Sequence, residues 1–147
     1  MRMAAIFAAL LVLFPATGLA QEKEVIRMPG SLEGLPFSTA VRVGDLLFLS
    51  GQIGTLPGTR QLASGGVAGE TRQTMENIKT VLEFAGSSMD RVVKCTVFLL
   101  DIDDYAAVNE VYGTYFPVDP PARSAMAASG LALGSQVEIE CIALAGR

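Results

Sequence analysis

Residues Glu70 to Leu100 read ETRQTMENIKTVLEFAGSSMDRVVKCTVFLL, and this stretch decides the fold. Thr71, Met75, Ile78, Leu82 and Ala85 recur at alternating gaps of four and three residues, which lines them up along one side of a helix over Glu70 to Ala85. Arg72, Glu76, Lys79 and Glu83 fall on its other faces, and Gly86 stands where a left-handed residue ends a helix. From Val92 to Leu100 the period changes to two. Val93, Cys95, Val97 and Leu99 form one face, and Lys94, Thr96 and Phe98 the other, which is the pattern of a strand. A helix with one apolar stripe, followed by a strand with one apolar face, predicts helix packed on sheet.

The same reading extends outward in both directions. Asp101 to Asp104 puts carboxylates at the start of a second helix, where they cap free N–H groups and suit the helix dipole. Tyr105, Val108, Val111, Tyr112 and Tyr115 carry its apolar stripe, and Pro117 stops it. Strands follow at about Ala122–Ala128 and Gln136–Leu144, with a turn at Leu131–Ser135 between them. Upstream, Val25–Met28 reads as a strand ended by Pro29-Gly30. Ser38–Val43 and Leu46–Ser50 read as a hairpin joined by Gly44-Asp45. The glycine-rich stretch from Gly51 to Gly69 reads as an irregular connection, long enough to be a functional or interface loop.

The order β-β-β-α-β-α-β-β predicts an α+β fold: a mixed β-sheet with two helices on one face. The other face needs its own explanation. Glu138 and Glu140 lie opposite Val137, Ile139 and Cys141 on the last strand, and small Ala125 and Ala127 accompany Arg123. We read these as a half-apolar open face with embedded charges, the mark of an oligomer whose interface shelters a site.

Composition narrows the chemistry. The chain has 147 residues, suited to one domain, 50% of them hydrophobic, with a formal charge of −4. It has two cysteines and no histidine, which excludes Ser-His-Asp and Cys-His catalysis and a His-ligated or four-cysteine zinc site. Neither a P-loop nor GxSxG, GxGxxG or CxxC is present. A pI near 4.8 without a Lys/Arg run argues against nucleic acid as partner. Met1-Arg2-Met3, the apolar run Ala4–Phe14, and Gly18-Leu19-Ala20 before Gln21 have the layout of a secretory signal peptide over residues 1–20. The run is shorter than the ~20 residues a membrane span needs; a retained N-terminal anchor is the alternative. The reading puts the mature domain, residues 21–147, in the periplasm or outside the cell, with no membrane span after cleavage. An oxidising compartment permits Cys95 and Cys141 to pair, but both lie in apolar strand-like runs where buried free thiols are common.

Three features could carry chemistry. Arg123, in Pro121-Ala122-Arg123-Ser124, is a guanidinium on a rigid strand, able to grip a carboxylate with two parallel hydrogen bonds. Glu138 is a strand carboxylate on a sheltered face, able to orient or deprotonate water, with Glu140 as its rival. Ser50-Gly51-Gln52 ends a strand where glycine lets a ligand approach the backbone. Asn109 is a weaker candidate on the second helix.

In order and spacing, these segments resemble the reactive intermediate deaminase (RidA, YjgF) family over almost all of residues 21–147. The resemblance rests on Pro36-Phe37-Ser38-Thr39-Ala40-Val41, Leu49-Ser50-Gly51-Gln52-Ile53, Thr71-Arg72-Gln73-Thr74-Met75-Glu76-Asn77-Ile78 and Asp90 to Leu99. Ala106-Ala107-Val108-Asn109-Glu110-Val111-Tyr112, Pro121-Ala122-Arg123-Ser124 and Val137-Glu138-Ile139-Glu140 carry it furthest.

The resemblance implies a chorismate-mutase-like fold and a homotrimer with an inner β-barrel, with sites in the clefts between subunits. It implies hydrolysis of reactive enamines and imines, of the 2-iminopropanoate and 2-iminobutanoate type, to 2-keto acids and ammonia, with no metal and no organic cofactor. By the same resemblance Arg123 binds the substrate carboxylate, Glu138 orients the attacking water, and Phe37, Ser50, Gly51, Asn109 and Ala125 line the pocket. Phe37 stands where many members carry Tyr, Ala125 replaces a Cys of some members, and Leu131-Ala132-Leu133 replaces a Leu-Pro-Lys-like turn. These departures bear on substrate preference. They also motivate the alternative, a non-catalytic small-ligand-binding or holdase-like trimer of the same fold. Nuclease activity, attributed to some relatives, fits the acidic charge least.

Overall fold

The computed structural model describes residues 22–30 and 34–146. The leader read at residues 1–20 lies outside the described residues. The elements are β1 (Lys23–Ile26), β2 (Ala40–Val43), β3 (Leu46–Leu49), β4 (Gln52–Ile53), α1 (Gly66–Phe84), β5 (Val92–Leu99), α2 (Tyr105–Tyr115), β6 (Ala122–Ala127) and β7 (Val137–Leu144). They form one sheet in the order β1-β2-β3-β7-β5-β6, with β4 also paired to β7. β5 and β6 are parallel and the other pairs antiparallel. A parallel pair needs a crossover, and α2 supplies it. This is the expected α+β fold, with a mixed sheet and two helices.

The helix stripe read from the sequence is the core. Thr71, Met75, Ile78 and Leu82 are fully enclosed, and Ala85 nearly so. They meet Leu47, Leu49, Val97, Leu99, Ile139 and Ala143 from the sheet, and Val108 and Tyr112 from α2. The sheet's other face is open. Leu46, Phe48, Met126 and Leu144 are exposed there. Phe48 pairs with Ile142, Ile142 with Lys94, and Phe98 with both Met126 and Glu138, so all share that face. No helix among the described residues is long and apolar enough to cross a membrane.

Four details differ from the sequence reading. The Gly51–Gly69 connection contains β4, whose pairing to β7 is short but regular. Asn77 of α1 secures this segment, its Nδ2 donating to the Ile53 and Thr55 carbonyls at 3.0 Å each. Helix α1 starts at Gly66, earlier than Glu70, because Gly65 and Gly66 at φ 102° and 63° turn the chain into it. The β5 alternation slips at its start: a bulge between Val92 and Lys94 exposes Val93 and buries Val92 instead. Finally, Cys95 and Cys141 are not free thiols. They face each other directly across β5 and β7 and form a disulfide in the core.

Candidate active site

The sequence candidates gather into two groups. The first surrounds Glu138. β3 pairs with β7 through Phe48 and Ile142, and β4 resumes the pairing at Gln52 with Ile139 and Ile53 with Glu138. Ser50 and Gly51 fill the break between them. The Glu138 carboxylate lies against this break: a Cβ at Gly51 would overlap Glu138 Oε1, so the close approach requires glycine. Ser50 fixes the break, its hydroxyl donating to the Ser38 carbonyl at 2.6 Å and its N–H to the Thr39 carbonyl at 3.1 Å. Gln52 Nε2 donates to the Ser50 carbonyl at 3.0 Å. Phe37 precedes Ser38 in the chain and is exposed. Partial burial pushes the Glu138 carboxyl above the ordinary carboxylate range, and Glu140 on the same face adds to the rise.

The second group surrounds Arg123, near the start of β6. Its guanidinium carbon lies 4.8 Å from the Tyr112 ring centroid and 5.4 Å from that of Tyr105, within cation–π range. Arg123 Nη2 donates to the Tyr105 hydroxyl at 3.0 Å. Asn109 lies four residues after Tyr105 and three before Tyr112, so all three share the side of α2 turned toward Arg123. Asn109 Oδ1 and the Tyr112 hydroxyl are buried without a hydrogen-bond partner. Burial pushes the Tyr112 hydroxyl up to about 12, against the opposing pull of Arg123, so the phenol stays neutral at ordinary pH. Ala125, two residues along the same strand face, packs on the core. The sequence reading missed Tyr105 and Tyr112 as site residues and treated them as apolar stripe. The signal was their spacing of four and three around Asn109.

One correction matters most. Arg123, Ala125 and Ala127 were expected on the open face with Glu138. Cys95 pairs with Arg123 on one side and with Cys141 on the other, so Arg123 shares the helix-covered side with Cys141. Glu138 points to the opposite side. Strand period is two, so pairing parity alone decides the face. β5 also separates β6 from β7, a spacing of about 10 Å over two strand intervals. Within one chain the guanidinium and the carboxylate are therefore two half-sites facing away from each other. Among the described residues, no group of three or more Cys, Asp and Glu side chains is assembled as a metal-binding set.

A mixed sheet with two helices on one face, a strand-borne guanidinium and a strand-borne carboxylate define the class expected from the motifs. The family model described as Endoribonuclease L-PSP matches residues 32–145. A human protein named 2-iminobutanoate/2-iminopropanoate deaminase is 44% identical over 120 residues, covering 82% of this chain and 86% of that one. Among solved structures, yeast YEO7 superimposes with a TM-score of 0.79 at 41% identity, covering 86% of this chain and 100% of the other. The YjgF gene product of E. coli gives 0.75 at 33% identity, covering 82% and 98%. The chain belongs to the Endoribonuclease L-PSP family, the RidA (YjgF) family of the sequence motifs.

Proposed function

We propose that the chain hydrolyses reactive imines and enamines, of the 2-iminopropanoate and 2-iminobutanoate type, to 2-keto acids and ammonia. The carrying observation is the pair of built half-sites, a guanidinium on an aromatic mount and a carboxylate of raised pKa against a glycine backbone. Relatives named for this activity support it.

Arg123 grips the substrate carboxylate with two charge-assisted hydrogen bonds. Glu138 accepts a hydrogen bond from a water and takes its proton as the oxygen attacks the imine carbon. The C=N bond becomes a C–N bond in a carbinolamine. Glu138 returns that proton to nitrogen, which completes the neutral carbinolamine; it then takes the carbinolamine hydroxyl proton and passes it to nitrogen, so the C–N bond breaks, the carbonyl forms and ammonia leaves. A carboxyl of raised pKa suits both halves of this shuttle, an effect of ~10²–10⁴-fold; holding water and imine together supplies the rest.

The two half-sites meet only between copies of the chain, so the active unit is a homotrimer with its open sheet faces turned inward. Leu46, Phe48 and Leu144, exposed neighbours on the open face of β3 and β7, support this, since exposed apolar surface of this kind is contact surface. Sedimentation of the mature chain should give three times the monomer mass. The leader motif and the Cys95–Cys141 disulfide support export to an oxidising compartment. N-terminal sequencing of the mature protein should begin at Gln21; an intact Met1 would refute cleavage, and a chain found only in the cytoplasmic fraction would refute export.

The test of activity is release of 2-keto acid from an imine generated in situ by an amino-acid oxidase. A large acceleration over buffer is expected. Pyruvate binding by a folded oligomer without any acceleration would overturn the deaminase reading in favour of a ligand-binding trimer.

A further inference from the structure

We infer that Tyr105 is a positioning residue for Arg123, setting the orientation in which the guanidinium meets a carboxylate. This rests on the reading of Arg123 as the carboxylate grip and deepens it by assigning a residue at the surface end of α2.

Arg123 has a long, rotatable side chain on an edge strand and forms no salt bridge among the described residues. Something else must hold it in one pose. The Tyr112 ring lies 4.8 Å from its guanidinium carbon, a non-directional contact that offers no hydrogen bond to fix the direction of its N–H groups. Tyr105 supplies that bond. Its ring lies 5.4 Å from the guanidinium carbon, and its hydroxyl accepts from Nη2 at 3.0 Å. The bond uses one of the five N–H donors, leaving enough for a two-bond grip on a carboxylate.

Tyr105 is also suited to this role by what it does not do. It is the first residue of α2, is 43% exposed and lies outside the buried core. A tyrosine in the apolar stripe would be expected to bury its ring. This one leaves much of it in solvent and spends its hydroxyl on Arg123. The turn that leads into the helix is held without its side chain, because Asp101 Oδ1 accepts from the Asp103 N–H at 3.0 Å. The consequence is uniform: a pinned guanidinium binds the carboxylate in ground state and transition state alike, so loss of the pin raises KM and leaves kcat.

The test compares Tyr105→Phe and Tyr105→Leu with the wild type, in the imine assay and in calorimetric binding of pyruvate, a carboxylate probe that needs no turnover. Tyr105→Phe should raise KM and the pyruvate Kd about three- to tenfold, the net worth of one ordinary hydrogen bond, as suits an exposed one. Its kcat should stay within about twofold. Tyr105→Leu should raise both further. In an Arg123→Lys background, Tyr105→Phe should add nothing, since the geometry it maintains is already gone. Unchanged Kd in Tyr105→Phe and Tyr105→Leu, or an effect equal in both backgrounds, overturns the proposal. A wild type that binds pyruvate without turning over imine sinks the deaminase reading alone, and the positioning role is then judged on Kd. A wild type that neither binds pyruvate nor turns over imine overturns both.

Discussion

Two half-sites on opposite sheet faces make a quantitative prediction about mixed oligomers. On the proposed mechanism, Arg123→Ala removes the carboxylate grip, and Glu138→Gln removes the proton acceptor. Each variant alone should be nearly inactive. In the proposed cyclic trimer, every site joins Arg123 of one copy to Glu138 of the next. A mixed site works when an Arg123-intact copy is followed by a Glu138-intact copy. With equal amounts of the two variants assembled at random, that happens at about one site in four, so about a quarter of wild-type activity should return. A control separates this from subunit stabilisation. Wild type mixed equally with the Arg123→Ala/Glu138→Gln double variant should retain about one quarter of the sites if they are shared, and about one half if each chain carries its own. The assay is keto-acid release per protomer after co-refolding, with differently tagged variants to verify mixing. Mixed variants that stay at the sum of their separate backgrounds, with mixing demonstrated, refute the shared site and with it the reading of the sheet register.

Three further expectations follow from single contacts. Gly51→Ala puts a Cβ onto Glu138 Oε1; kcat should fall by ~10² or more with the far-UV circular dichroism unchanged, and activity within a few-fold of wild type would show that the carboxylate does not need that berth. Glu140 raises the Glu138 pKa, and the rate should climb as pH rises through that pKa, so Glu140→Gln should move the acidic limb of the kcat/KM profile to lower pH; a limb that stays put would mean Glu138 is not the titrating group. The Cys95–Cys141 disulfide closes a loop with a sequence separation of 46, which in the chain-entropy account constrains the unfolded state by about 4 kcal/mol. Denaturant unfolding at fixed protomer concentration should lose about that much in a Cys95→Ala/Cys141→Ala variant, and a loss below about 1 kcal/mol contradicts it.

What could be read from the sequence was what is local. The α1 stripe of Thr71, Met75, Ile78 and Leu82 needed only the helical period, and all four are enclosed. The alternation of β7 needed only the strand period, and Val137, Ile139 and Cys141 are buried opposite Glu138 and Glu140 as read. Val93 failed because a bulge changes parity without changing composition. β4 failed because a two-residue strand has no period, and its fixture, Asn77, lies on another element.

The same reasoning explains why the site itself was half legible. Arg123 and Glu138 carry residue types and contexts that single them out as candidates, but not the direction in which each points. That direction is set by registry between strands distant in sequence. Cys95 is the reference, since it pairs with Arg123 across a parallel contact and with Cys141 across an antiparallel one. Nothing in Ala122 to Ala127, six residues without a large buried side chain, selects one face over the other. β6 takes its parity from β5 and from the tyrosines that α2 lays over Arg123. A one-residue slip there would turn Arg123 to the open face, away from the aromatic mount and onto the side of its own chain's Glu138. The register that buries the disulfide is thus also the register that sets Arg123 and Glu138 on opposite faces of one chain.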